Sequence, residues 1–223
     1  EVNYIALVGN DIKIRRGALN KCCEYLQKDD HLGMVSPIVL KKNSNIVENF
    51  GCSITKNLRM GTYCSNIGIE EICEPIHYCD TVAGGINISK REFYEKVGLQ
   101  DENLFMYSDE VDMGLRAKKK CFLMASTRDA ISWHQHIYQK TNERHPFSSY
   151  LSARNKIYLA YKYFGQTKAI KLFFYYLYIS MRIICISVLK GKFGRISNYW
   201  WQIIGAFNGI VGNMTPNKYS TPG

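Results

Sequence analysis

After Glu143 the sequence contains no acidic residue. From Arg144 to the end it carries 11 Lys or Arg, whereas residues 1–143 hold 18 basic and 19 acidic side chains. A nearly neutral first part therefore joins a basic tail, and the formal charge of +10 resides in that tail. A shift this sharp marks two functional segments. No two of the eight cysteines are spaced as CxxC, which removes the zinc-ribbon and thioredoxin readings. Free thiols in a reducing compartment are the plain expectation. There is no GxGxxG, no P-loop and no internal repeat, so neither glycine-rich phosphate cradle is present. With 46% hydrophobic and 22% charged residues, a disordered or low-complexity chain is excluded. A length of 223 residues is enough to bury a core without staples. The chain opens at Glu1, without Met, directly into an apolar run, and is expected to be a fragment or a processed chain.

What is present alternates between strand and helix patterns. YIALV (Tyr4 to Val8) reads as a buried strand ending at the turn Gly9-Asn10-Asp11. Arg16 to Gln27 reads as a helix with Ala18, Cys22, Tyr25 and Leu26 on one face. GMVSPIVL (Gly33 to Leu40) reads as a second strand, and Ile46 to Phe50 as an edge strand. Residues 52–80 look irregular, and Thr81 to Ile88 reads as a strand interrupted by Gly84-Gly85. Ser89 and Glu92 fit a capping box for a helix that stops at Gly98. Ser108 caps a further helix whose first turn holds Asp109 and Glu110. Cys121 to Ala125 and Ala130 to Trp133 read as two short strands. The alternation is the α/β pattern. After Pro146 it gives way to three apolar, basic helices near 149–164, 167–190 and 196–211, with Gly165, Gly191 and Gly212 at their ends.

Four constellations are able to carry chemistry, and each has a bland counterpart. Asp11 at a strand's end can reach a metal held on a diphosphate, or it is a turn residue. Asp109, Glu110 and Asp112 place three carboxylates within four residues. Crowding raises a carboxylate's pKa and suits a general base, and the same cluster also suits a charged helix start. Gly84-Gly85 marks a close approach of ligand or backbone, or a bulge. Trp133-His134-Gln135-His136 ends a strand with two His on one face, able to ligate a metal, meet a diphosphate or serve structure alone.

Taken in order, these pieces resemble family 2 glycosyltransferases of the GT-A fold, and the rhamnosyltransferase-like members most. The residues that carry the resemblance are YIALVGNDIKI, GMVSPIVL with Ile46 and Gly51, VAGGINISKREFYEKVGLQDENLFMYSDEVDMGLRAKKKCFL, and DAISWHQH. YLSARNKIYLAYKYFG is similar to the Arg-Asn-rich helix that follows the catalytic domain in such enzymes. The resemblance implies an α/β chain: the C-terminal part of a GT-A (Rossmann-like) domain at 1–147, then amphipathic or apolar helices at 148–223. It implies that Asp11 is the metal carboxylate of a DXD-type motif, with Mg2+ or Mn2+ as cofactor. Glu110 falls where the base is expected, but Asp109-Glu110 inverts the usual acidic order, so either residue fits. Asp112 would be structural or acceptor-orienting, Gly84 and Gly85 would border substrate, and Trp133 and His134 would line the diphosphate site. His134 is also a possible second metal ligand. Gly9 stands where many members have Asn or Asp. The implied reaction is inverting transfer from a UDP- or dTDP-sugar to a glycan or lipid-linked glycan, as in bacterial-type surface polysaccharide synthesis. The nucleotide-holding βαβ units that precede the DXD strand in the family are not in this sequence. The isolated chain is therefore expected to be inactive, or to be a half-enzyme or membrane-attached scaffold.

Leu172 to Leu189 is an 18-residue run with one charge, Arg182. A span needs about 20 apolar residues. An interfacial or re-entrant helix, a true span and a core helix all fit the run, the first best. A tail with only positive charge favours an anionic membrane surface, here the cytoplasmic face of the cell membrane. The tail is too apolar for a nucleic-acid surface, and none is expected.

Overall fold

The computed structural model describes residues 2–135 and 145–214. His136, the second histidine of the expected pair, lies outside them. The chain divides into two compact units, Glu1–Gln100 with Glu110–Tyr138, and Asp101–Asp109 with Gln139–Gly223.

The first unit is α/β. Its elements are β1 (Tyr4–Val8), β2 (Ile12–Ile14), α1 (Ala18–Lys28), β3 (Leu32–Lys41), β4 (Val47–Asn49), β5 (Cys52–Ile54), β6 (Met60–Thr62), β7 (Ile76–Cys79), β8 (Ile86–Lys90), α2 (Arg91–Val97), α3 (Asp109–Lys119) and β9 (Leu123–His134). Seven strands form one sheet in the order β1-β8-β3-β9-β2, with β4 added to β3 and β7 to β9. β3 is apolar along nearly its whole length because the sheet is covered on both faces. Successive strand residues point to opposite faces. Val35 packs with Ala18, Cys22 and Leu26 of α1, while Met34 packs with Phe93 of α2 and Met113 and Ala117 of α3. Gly33 has no side chain because a Cβ there would collide with the Phe93 ring.

Four sequence expectations fail here. The two strands expected at 121–125 and 130–133 are one strand, β9, paired in parallel with β3. Its register jumps from Pro37↔Thr127 to Ile38↔Ile131, so residues 128–130 form a bulge without ending the strand. Residues 52–80, expected to be irregular, contribute the hairpin β5–β6 and the sheet strand β7. The expected capping box is not formed. Ser89 lies inside β8 and donates to the Ile5 carbonyl, and Lys90 precedes α2 with no side-chain cap. β8 itself begins at Ile86, so Gly84 and Gly85 form a turn before the strand, not an interruption in it.

The second unit contains α4 (Pro146–Phe164), α5 (Gln166–Leu189) and α6 (Ile196–Ile210), close to the expected helices. Gly165, Gly191 and Gly212 have positive φ, as helix-ending glycines do. α6 packs hard on α4. A Cβ on Gly205 would collide with the Tyr150 carbonyl, and one on Gly209 would lie 2.6 Å from that of Arg154. All eight cysteines are free.

Candidate active site

The site grows from the ends of β1 and β9. Asp11 sits in the turn between β1 and β2, and His134 is the last residue of β9. The antiparallel pairing of β2 with β9 sets Ile12 opposite His134, and Gln135 N–H donates to the Asp11 carbonyl at 2.7 Å. That pairing brings two residues 123 apart in sequence together, with His134 Nε2 3.0 Å from Asp11 Oδ2. The other ring nitrogen, Nδ1, lies 2.7 Å from Glu48 Oε1 on β4. Burial by itself lowers the His134 pKa, but the Glu48 and Asp11 carboxylates outweigh it and the net effect is a rise. Asp11 remains 46% exposed and so faces solvent, whereas Glu48 is 18% exposed.

Glu48 was not anticipated. It belongs to a three-residue edge strand and has no neighbouring acidic or histidine residue in sequence. Only the β3–β4 pairing, which sets Val39 opposite Asn49, carries it to the end of β9.

The second carboxylate cluster opens α3. Thr81 Oγ1 donates to the Glu110 carbonyl at 2.9 Å, and the Glu110 side chain lies on the backbone of Gly84. A Cβ at Gly84 would collide with Glu110 Oε1, so this position is glycine because a carboxylate occupies the space. Gly9 N–H donates to the Gly85 carbonyl at 2.8 Å, and a Cβ on Gly9 would lie 3.0 Å from Asp11 Oδ1. The Gly84-Gly85 turn therefore touches Glu110 on one side and the Asp11 turn on the other. Glycine at position 9 leaves room for the Asp11 carboxylate.

Other expected residues are placed differently. Trp133 points to the opposite face of β9 from His134, packs beside Ile38, Leu40 and Val47, and donates from Nε1 to the Ser44 carbonyl at 3.2 Å. It is partly buried against that cluster, on the other face of β9 from His134. Asp112 is fully buried and pairs with Arg116 Nε at 2.8 Å. Arg116 in turn donates to the Val97 and Gly98 carbonyls, so Asp112 ties α3 to the end of α2. Asp109 is half-buried at the first position of α3. Ser108 precedes it with φ 66°, a left-handed backbone instead of the extended one of an ordinary N-cap. A cavity of about 430 Å³ lined by Cys52, Tyr63, His77, Tyr78, Cys79 and Asp80 contains none of these residues.

Among the described residues no group of three or more His, Cys, Asp or Glu is placed to hold a metal ion. Asp11 and His134 form a pair. At 3.0 Å their contact is an ordinary hydrogen bond or ion pair, and a cation held by both atoms would take the place of the proton between them. Glu48 on Nδ1 fixes the ring so that Nε2 faces Asp11, the usual outer-shell support of a metal-binding imidazole. The pair fits a divalent cation that takes its remaining ligands from substrate phosphate and water.

No family model and no curated protein matches the chain. Among solved structures it is similar to GalNAc-T7, in a crystal structure with UDP, GalNAc and Mn2+. The TM-score is 0.53 at 13% identity, over 71% of this chain and 31% of that one. That protein is a glycosyltransferase of the GT-A type, and the likeness is one of fold. This chain is a mixed α/β protein with a GT-A-like fold. It spans about a third of the length of that structural relative, 31%.

Proposed function

We propose that the chain is the acceptor-side part of a nucleotide-sugar-dependent glycosyltransferase. In this reading it acts with inversion on a UDP- or dTDP-sugar and a glycan or lipid-linked glycan, in the manner of family 2 rhamnosyltransferase-like enzymes. One observation carries the reading: the Gly84-Gly85 turn links the Asp11–His134 pair to the Glu110 carboxylate. A cation site and a candidate base thus border one glycine surface, where a donor can approach the backbone.

Asp11 and His134 would hold the cation, and the imidazole tips the choice toward Mn2+ over the oxygen-preferring Mg2+. When bound, the ion would supply positive charge against the departing nucleoside diphosphate. The chain's own residues do the rest. Glu48 holds the His134 ring in place. Glu110, or Asp109 beside it, accepts the proton of the acceptor hydroxyl as that oxygen bonds to the anomeric carbon. The bond from that carbon to the diphosphate oxygen breaks in the same step, which inverts the centre. Proton transfer of this kind contributes roughly 10²–10⁴-fold. A lipid-linked acceptor would put the chain at the cytoplasmic face of a membrane, where the basic second unit meets anionic headgroups.

Titration calorimetry with UDP or dTDP tests the reading. Heat of binding that needs Mn2+ or Mg2+ and disappears in Asp11→Asn supports it. Nucleotide binding indifferent to both metal and Asp11 would sink the metal assignment, and no binding at all would leave a non-catalytic scaffold or a half-enzyme that needs its nucleotide-holding partner. In a transfer assay with the nucleotide-holding part supplied, Glu110→Gln or Asp109→Asn should lose roughly 10²-fold in turnover with donor affinity kept.

A further inference from the structure

Helix α5 has two faces of opposite use. Ala169, Leu172, Tyr176, Ser180 and Ser187 are buried, and Ser180 Oγ donates to Gln202 Oε1 of α6 at 2.8 Å. On the other side Ile170, Phe174, Tyr178, Met181, Cys185 and Val188 recur every three or four residues, and all are exposed. Phe174 is 60% exposed and Tyr178 65%. At 1.5 Å per residue the row runs for about 27 Å. Lys171 and Arg182 are exposed along one flank of the row, and Lys190, Lys192 and Arg195 are exposed just past its end. By length and composition the helix passes as a membrane span, yet only 22% of its apolar window is buried, which is not the pattern of a core helix.

We propose that this row is a lipid-contact surface, and that α5 lies in the plane of an anionic membrane with the row sunk to the boundary of headgroups and acyl chains. This deepens the membrane part of the reading above and rests on it, but not on sugar transfer. The charges select the occupant. No acidic residue follows Glu143, so a second copy docked through this same face of its own α5 would set Lys171 and Arg182 among further cations. Anionic headgroups complement the same residues. The position of Arg182 selects the orientation. In a spanning helix it would lie within hydrocarbon, whereas in an in-plane helix it and Lys171 reach the headgroups along the flank while their stems cover apolar surface. The buried face keeps its polar Ser180–Gln202 contact within the protein in that arrangement.

The full chain should co-sediment with phosphatidylcholine vesicles containing phosphatidylserine, and less with phosphatidylcholine alone. Combined Phe174→Ser, Tyr178→Ser and Met181→Ser should weaken binding by about tenfold or more with unchanged circular dichroism, since only exposed side chains change. Leu99→Ser, at a 76% exposed apolar residue of the first unit, should have no effect. Wild-type binding by the triple variant would overturn the face while leaving membrane attachment standing. No vesicle binding by the wild type would overturn both. A dimer in sedimentation that the triple variant abolishes, without vesicle binding, would assign the row to a second copy and overturn the proposal. Spin labels at 174, 178, 181 and 185 should report one common depth. A depth changing by about 1.5 Å per residue would show a span and overturn the in-plane arrangement.

Discussion

The Asn155 amide nitrogen of α4 lies 2.8 Å from the carbonyl oxygen of Tyr107, two residues before the Asp109-Glu110 pair. The same amide reaches the carbonyls of Leu104 and Met106, at 2.9 and 2.8 Å. Its neighbour Arg154 is fully buried and donates to the carbonyls of Asn103, Leu104 and Met214. The gripped loop is strained: Phe105, Tyr107 and Ser108 all have φ between 58° and 68°. Non-glycine residues hold such values only where surrounding structure enforces them. The side chains of Phe105 and Met106 are exposed, so the conformation is held by the bonds to the backbone on either side and by Tyr107 Oη, 2.8 Å from Ser148 Oγ of α4. The Arg-Asn pair of α4 thus holds the segment that enters α3.

Asn155→Ala should take a donor from the part-buried Met106 and Tyr107 carbonyls, while Leu104 keeps Arg154, at about 1–3 kcal/mol for each carbonyl left unpaired. Asn155→Asp keeps the shape but turns acceptors toward three carbonyls, and it should be at least as damaging. Urea unfolding of both variants measures this. Wild-type midpoints in both would mean that the loop holds its form without the amide.

Asp101, in the second unit, accepts from Tyr158 Oη at 2.8 Å and from Lys162 Nζ at 2.7 Å. Burial alone would raise its pKa, but Lys162, Tyr158 and Asn103 outweigh that and lower it from 3.8 to about 2. A folded pKa below the unfolded one adds stability above the unfolded value, and that stability is lost as pH falls through the folded one. The contribution is about 2 kcal/mol above pH 4, fading toward pH 2. The urea-midpoint gap between wild type and Asp101→Asn should therefore be wide at pH 6 and nearly closed at pH 2. A gap that stays constant would mean the carboxylate's charge is immaterial.

The legible part of this chain was local. The apolar run of β3, the period of α1 and the three tail helices follow from side-chain spacing, because each is decided by residues within one element. Pairings between distant segments decide the rest. Asp11 and His134 were candidates individually, but their contact depends on the register of β2 against β9. Glu48 carried no signal, since an isolated Glu in an edge strand looks like any solvated charge. Trp133 and His134 are adjacent in sequence, but strand alternation sets them on opposite faces of β9. Gly84 was noted as a close approach, and the group that approaches it is the chain's own Glu110.

Glu48→Gln tests the support of the cation pair. The amide can still hydrogen-bond the ring but no longer raises its basicity, so Mn2+ affinity should fall about 10-fold or more. Electron paramagnetic resonance of free Mn2+ in the presence of UDP reads this without any transfer assay. Unchanged affinity would show that His134 needs no partner, or that it does not ligate.

Gly84→Ala separates the site from the fold. The new Cβ would collide with Glu110 Oε1, Cδ and Cγ and with nothing else among its nearest neighbours. These are atoms of a flexible side chain, which can swing away at small cost. Gly84 is not among the positive-φ glycines, so alanine there is not strained by its backbone. Stability should therefore change little, within about 1 kcal/mol. The carboxylate, however, must leave the glycine surface. If Glu110 is the base, transfer should fall by roughly 10²-fold with metal-dependent nucleotide binding kept, as in Glu110→Gln, and combining the two substitutions should add little. Independent, multiplying losses would mean that Gly84 serves the substrate directly and that Glu110 merely rests against it.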